Sequence, residues 1–130
     1  MKFLAALAAG TVVALAASAQ AHHSFAMFDR TTNIFLEGTV TGFELTNPHS
    51  WLYVEIEDEG RLAEWTIEMG SPGGMARAGW KADTLKPGDR ITVQIHPLRD
   101  GTYGGQYIEA VLPDGQIMGG GDSGIPPAAR

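Results

Sequence analysis

Four histidines carry the most distinctive chemistry of this sequence: His22, His23, His49 and His96. A neutral imidazole binds transition metals through a ring nitrogen, and sites rich in such nitrogens favour copper, which heads the divalent affinity series. The chain contains no cysteine, so disulfides, thiolate metal ligands and lipid attachment through a cysteine are excluded. A metal site in this chain would therefore rest on imidazoles, and its donors depend on where the working chain begins.

The first 21 residues have the three parts of a cleavable secretory signal. Lys2 provides a positive start, residues 3–17 are an uncharged apolar run, and residues 19–21 (Ala-Gln-Ala) match the small-x-small pattern that signal peptidase accepts. A membrane-spanning anchor is the alternative, since the uncharged stretch approaches the roughly 20 residues that a span needs. Its last part is Ala, Ser and Gln, and no basic segment follows it. This pattern favours cleavage after Ala21 and a periplasmic or secreted protein.

Cleavage after Ala21 would make His22 the first residue and would create a chelating group. Its free α-amine and its imidazole form one chelate ring, and a third nitrogen from another histidine would complete a T-shaped copper site. His23 is the alternative, because an imidazole at the second position chelates Cu(II) together with the terminal amine and the intervening amide nitrogen. For the third nitrogen we favour His49 over His96, because the Asn-Pro turn before His49 fixes its backbone.

Other side chains can act as additional ligands or as orienting partners. Met27 offers a thioether, a soft donor that suits Cu(I). The carboxylates that can bind a metal or accept a hydrogen bond from an imidazole are Asp29, Glu37 and Glu44. These features also have simple structural explanations. His49 can bond its own turn, His96 can end a strand, and Met27 can pack the N-terminal arm against the rest of the protein.

Composition limits the size of the domain and the class of partner. Removing 21 of the 130 residues would leave 109, enough for one domain with one core. Fifteen acidic residues against nine basic ones give a formal net charge of −6, and removal of Lys2 would make it one unit more negative. Nucleic-acid affinity comes largely from Lys and Arg that neutralise phosphates, so we expect no nucleic-acid partner. No second apolar run follows the signal, so we expect no membrane insertion after cleavage.

Hydrophobic alternation and turn residues divide the rest of the chain into short elements. Strands are predicted over residues 35–45, 51–57, 62–69, 90–96 and 106–112, and a short helix is predicted within residues 71–79. Residues 22–33 are expected to form an N-terminal arm, and the last predicted strand is followed by a short return through Met118. This organisation predicts one domain over residues 22–118 and a disordered, Gly- and Pro-rich tail over residues 119–130.

The order of these elements predicts an all-β fold, a five-stranded OB-like Greek-key barrel with one short helix between the third and fourth strands. An open β-sandwich is the alternative, because the strand count fits both folds, but the position of the helix favours the barrel. Gly38 and Gly42 are predicted on the Leu36 face of the first strand, where a strongly coiled strand needs glycine. The side chains predicted to point inward are Leu52, Val54, Ile56, Trp65, Ile67, Val93 and Ile95.

Three segments resemble a known family: HHSFAMFD after the signal, the NPHSW turn, and GSPGGMARAGW around the predicted helix. Together they are similar to a family of small exported bacterial proteins known only as a domain of unknown function. The similarity extends over nearly all of the mature chain, to about Asp114. It implies an exported, OB-like protein, but it brings no activity and no mapped site, so function must be argued from the residues.

Two functions follow as hypotheses. The first is a periplasmic copper-binding protein that uses a cleavage-generated N-terminal histidine and a second histidine. The second is a non-enzymatic module that binds another exported or membrane protein without a metal, through an exposed aromatic patch formed by Trp51, Tyr53 and Tyr103. An enzyme ranks last, because the sequence has no Ser-His-Asp arrangement and no cysteine nucleophile.

Overall fold

The structure, a computed structural model, describes residues 25–119. His22, His23, the predicted signal and residues 120–130 lie outside that range. The described chain forms β1 (Ile34–Glu44), β2 (Trp51–Asp58), β3 (Arg61–Glu68), α1 (Pro72–Arg77), β4 (Arg90–Pro97), β5 (Gly104–Val111) and β6 (Ile117–Gly119). Within residues 25–119, no helix is long and apolar enough to cross a membrane.

The five longer strands form a closed barrel with OB-like connectivity. The strand order is β3-β2-β1-β4-β5-β6, and a parallel pairing between β3 and β5 closes the ring. The long strand β1 pairs with β4 through its first half and with β2 through its second half, which lets one strand belong to both sides of the barrel. The predicted five-stranded barrel is therefore confirmed, and the β3–β5 closure excludes the open β-sandwich.

The barrel interior contains the side chains that alternation along the strands predicted. Leu52, Val54, Ile67, Val93 and Ile95 are fully buried. Ile56 is also buried, and Trp65 packs against the core while remaining partly accessible. Burial of these aliphatic side chains removes apolar surface from water, which is the main force that stabilises the barrel in a chain without cysteine. All seven inward positions are thus confirmed.

A β-bulge in β1 corrects the prediction for Gly42. Val40 pairs with Val54, but the register shifts before Gly42, which pairs with Tyr53. An extra residue in one strand moves every later side chain to the opposite face. Gly42 therefore lies on the outer face, where an added Cβ would stand 3.0 Å from the Tyr53 ring. Gly38 lies on the inner face as predicted.

The elements after β3 also agree closely with the sequence. Ser71 caps the short helix, and its Oγ accepts a hydrogen bond from the Gly74 backbone N–H at 3.2 Å. Gly79 follows with a positive φ of 95°, as a helix C-terminus often requires. The return through Met118 forms a sixth strand, which the sequence did not predict. Its Met118 carbonyl accepts a hydrogen bond from the Tyr107 hydroxyl.

Candidate functional site

The turn that carries His49 is fixed to the end of β3. The Thr46 hydroxyl donates to the His49 carbonyl oxygen at 2.8 Å. Ser50 exchanges two backbone hydrogen bonds with the segment after β3, donating to Gly70 O and accepting from Met69 N, each at 2.9 Å. These contacts place the His49 ring beside the last residues of β3 rather than over its own turn.

The Nδ1 atom of His49 lies 3.1 Å from Glu68 Oε1 and 3.3 Å from the Met69 carbonyl oxygen. Both partners are acceptors when Glu68 is ionised, so Nδ1 carries the proton and the lone pair resides on Nε2. Histidines that bind metals usually have this arrangement, with one ring N–H held by a carboxylate or a carbonyl. The His49 side chain is 34% exposed and that of Glu68 is 11% exposed, so the pair lies at the surface with its carboxylate side largely covered.

Glu68 is the functional residue that the sequence analysis missed. A signal for it was available, because the inward assignment of Trp65 and Ile67 places Glu68 on the outer face of β3. What the sequence did not provide was the strand register, which pairs Glu68 with Trp51 and so brings it next to the His49 turn. Cross-strand neighbours share a face of the sheet, so this register determines the partner of His49.

The three carboxylates predicted as ligands or orienting partners have other positions. Asp29 accepts hydrogen bonds from the hydroxyls of Thr31 and Thr32 at 2.6 and 2.8 Å. These hydrogen bonds lower the pKa of Asp29 to about 2, and the bond from the Thr31 side chain is the largest cause. Glu37 pairs with Arg90 at 2.9 Å across the exposed face of β1 and β4. Glu44 is exposed at the end of β1, where it pairs in register with Trp51.

His96 lies at the end of β4, as predicted, and its ring contacts the N-terminal arm. Its Nδ1 is 3.0 Å from the Thr32 carbonyl oxygen, so this ring also presents Nε2 as its free nitrogen. Glu68 pairs with Gln106 on β5, and Gln106 pairs with His96 on β4. One strand therefore separates His96 from the carboxylate that holds His49. Within residues 25–119, no group of three or more His, Asp or Glu side chains is close enough to hold a metal ion.

A cavity of about 110 Å³ lies beside the His49–Glu68 pair. Its apolar walls come from Met27, Phe28, Trp51, Leu98 and Tyr103. Glu68 and Thr66 provide its polar side chains, and Gly104 and Gly105 complete the lining. The carboxylate that orients His49 therefore also faces a small aromatic pocket.

The N-terminal arm forms one wall of this cavity. Phe28 is 2% exposed and forms an isolated β-bridge with Leu98. The Asp29 amide donates to Pro97 O at 2.8 Å, and the Arg99 amide donates to Met27 O at 2.9 Å. Phe28, rather than Met27, is therefore the buried anchor of the arm. Met27 remains 48% exposed at the cavity.

Two of the three predicted patch aromatics meet at the same cavity. Trp51 and Tyr103 both line it, and Tyr103 is 50% exposed. Tyr53 lies on the same outer face of β2, but beyond the cavity, where it covers Gly42. The exposed aromatic surface is thus centred on the cavity rather than spread along β2.

The described residues define a small OB-like barrel with a histidine–carboxylate pair at the edge of an aromatic pocket. The model of a family of unknown function (DUF6152) matches residues 8–107. The chain belongs to this family, which confirms the resemblance seen in the sequence.

Comparison with curated proteins finds no match. Among solved structures, the barrel is similar to the mitochondrial single-stranded DNA-binding protein of S. cerevisiae in two crystal forms. One form has 11% identity and a TM-score of 0.47, with 62% of this chain and 93% of that chain covered. The other has 9% identity and a TM-score of 0.48, with 70% and 98% covered. Similarity at this level bears on neither the function nor the partners of this chain.

Proposed function

We propose that this chain is exported, is cleaved after Ala21, and binds one Cu(II) through its new N-terminal His22 together with His49. The observation that carries the proposal is the orientation of the His49 ring. Its Nδ1 is held by Glu68 and by the Met69 carbonyl oxygen, so the lone pair that can bind a metal is on Nε2. A carboxylate in this position also fixes the tautomer and the orientation of the imidazole as a ligand.

The course of the arm favours His49 over His96 as the second ligand. Followed from β1 toward its N-terminal end, the arm passes His96 at Thr32 and then reaches the Glu68 cavity at Met27. Only four residues lie between His22 and Met27, and the five Cα-to-Cα steps from one to the other span at most about 17 Å. The amine and imidazole of His22 can therefore reach the surroundings of His49, and Met27 offers a thioether nearby for Cu(I).

The N-terminal amine provides the sharpest test. Purified mature protein starting at His22 should bind one Cu(II), with nitrogen coupling in its EPR spectrum. The matched protein whose N-terminal amine is acetylated should lose most of that affinity, because a blocked amine cannot close a chelate ring with the imidazole of either His22 or His23. Equal copper affinity in the two proteins would rule out the N-terminal site. A mass spectrum of exported protein that starts elsewhere would remove its basis.

The two internal histidines provide a matched pair of variants. His49→Ala should weaken Cu(II) binding, whereas His96→Ala should leave it unchanged, because His96 faces Thr32 rather than the cavity. Glu68→Gln should weaken binding by about 10- to 100-fold, as loss of an orienting carboxylate does in other metal sites. If only His96→Ala weakens binding, the second ligand is His96 and the orientation argument for His49 is wrong.

A second candidate function is a metal-independent module that binds another exported or membrane protein. It is favoured by Met27 and Tyr103, large apolar side chains that are 48% and 50% exposed on one side of the barrel. Under this hypothesis Tyr103→Ser abolishes binding to a purified partner, and removal of metal has no effect. We retain the expectation that a chain with a net charge of −6 does not use nucleic acid as that partner.

A further inference from the structure

We propose that the cavity beside Glu68 binds the methylated ammonium head of a small, free organic cation. Trp51 and Tyr103 contribute aromatic rings to its lining, and Met27 contributes a polarisable thioether. Aromatic faces attract cations, and cages of such side chains are the usual means by which proteins recognise quaternary ammonium groups. This inference concerns a different ligand from copper and does not depend on the N-terminal histidine.

Charge complementarity defines the sign of the ligand. Of the nine described residues that line the cavity, Glu68 is the charged one, and none is Lys or Arg. Its side chain is 11% exposed and receives an N–H from His49 at Oε1. A largely covered carboxylate with apolar neighbours is stabilised by a cation and destabilised by an anion, and a neutral guest would displace water without providing a counter-charge.

Size limits the ligand to a small head group. The cavity volume of about 110 Å³ corresponds to roughly four water molecules at their liquid volume. A methylated ammonium group fits this space, whereas a folded peptide or a pair of acyl chains does not. A free solute can place its whole cationic head in this space, whereas a lipid would have to keep its acyl chains outside the protein, so we commit to a free solute as the source.

Gly104 keeps one wall of the cavity open. An added Cβ would stand 2.7 Å from Leu98 Cδ1 and 3.0 Å from the Thr66 carbonyl oxygen, and both neighbours line the cavity. A side chain at this position would push Leu98 away from its present contact with the pocket. The absence of a side chain on Gly104 is thus part of the shape that the ligand requires.

The primary test is titration of metal-free mature protein with choline, monitored by calorimetry or by the NMR signal of the Trp51 indole. Choline should bind, and its neutral isostere, with carbon in place of nitrogen, should bind at least about tenfold more weakly. Equal binding of the two would overturn the inference, because the cavity would then be recognising shape alone. Sedimentation with phosphatidylcholine vesicles without binding of free choline would also overturn it, in favour of a lipid surface.

Matched variants separate the cavity from its surroundings. Trp51→Leu and Glu68→Gln should each weaken choline binding by about tenfold. Tyr53→Leu and Glu64→Gln, on the same faces of the same strands but outside the cavity, should leave it unchanged. If the control variants weaken binding as much as the cavity variants, the site lies elsewhere. Because metal is absent throughout, failure of the copper proposal leaves these outcomes unaffected.

Discussion

The rings of His49 and His96 share one hydrogen-bonding pattern but have different neighbours. In each ring Nδ1 faces a backbone carbonyl oxygen, Met69 for His49 and Thr32 for His96, which leaves Nε2 free. Of the two rings, only that of His49 also has a carboxylate partner, because Glu68 Oε1 lies 3.1 Å from its Nδ1. A carboxylate partner fixes the tautomer and the orientation of a ligand imidazole. The chemical difference between the two histidines therefore resides in Glu68, a residue of another strand.

Asp29 provides a prediction at the scale of single hydrogen bonds. Thr31→Val should raise the pKa of Asp29 from about 2 toward its ordinary value of 3.8, because the Thr31 hydroxyl is the largest cause of the shift. Carbon-detected NMR titration of the carboxyl group measures this directly. Thr102→Val is the matched control: it should raise the depressed pKa of Asp100, which Thr102 lowers, and leave Asp29 unchanged.

The sign of this shift sets a pH window. A depressed pKa in the folded state means that ionised Asp29 stabilises the turn from Asp29 to Thr32 above pH 3.8, and this contribution is lost as the pH falls toward about 2. The protection factors of the amides in this turn should therefore fall across this interval. A fall that begins well above pH 4 would show that another group controls the turn.

At the scale of elements, side-chain alternation was sufficient to predict the strands, but their register was not predictable. Successive side chains of a β-strand point to opposite faces, so Ile67 points inward and Glu68 outward whichever strand lies next to β3. Which residue lies opposite Glu68 depends on turn lengths and on long-range pairing, and the β1 bulge before Gly42 adds a shift with no local signal. The pairing of β3 with β5 closes the barrel over a long sequence separation, so the cavity between them was not predictable either.

Gly38 is the element-scale position where the barrel depends on one missing side chain. An added Cβ would collide with the Glu55 carbonyl oxygen and stand 2.5 Å from Ile56 Cδ1, both on β2. Gly38→Ala should therefore lower the free energy of unfolding by ~3 kcal/mol or more, because rigid backbone must move to accept it. Urea unfolding monitored by tryptophan fluorescence measures the change.

Gly60→Ala is the matched control for Gly38→Ala. Gly60 has a positive φ of 78° and no atom within 4 Å of an added Cβ, so only the backbone conformation is penalised. We expect a loss of ~1 kcal/mol at that position. A smaller loss for Gly38→Ala than for Gly60→Ala would mean that β1 and β2 do not approach as closely as described.

At the scale of the whole molecule, the barrel and its N-terminal arm are held by different contacts. The core cluster contains residues from every strand, including Val54, Val93 and Met118. Phe28 is equally buried but does not belong to that cluster. It packs between the arm and the outer face of the barrel, where it forms a β-bridge with Leu98. The arm carries Met27 to the cavity, so its docking is a condition for both proposed ligands. Local opening of such a segment requires less free energy than unfolding of the barrel.

Two side-chain truncations should distinguish the stability of the barrel from that of the arm. Val54→Ala removes methyl groups from the centre of the barrel and should lower the global free energy of unfolding by about 1–3 kcal/mol. Phe28→Ala should instead release the arm, because the lost contacts lie outside the core cluster. In hydrogen exchange, the Asp29 and Arg99 amides, which donate across the arm to Pro97 and Met27, should then exchange much faster while the β2 amides keep their protection. Equal acceleration of the β2 amides would show that the arm and the barrel form one cooperative unit, and that the site cannot open without unfolding the fold that supports it.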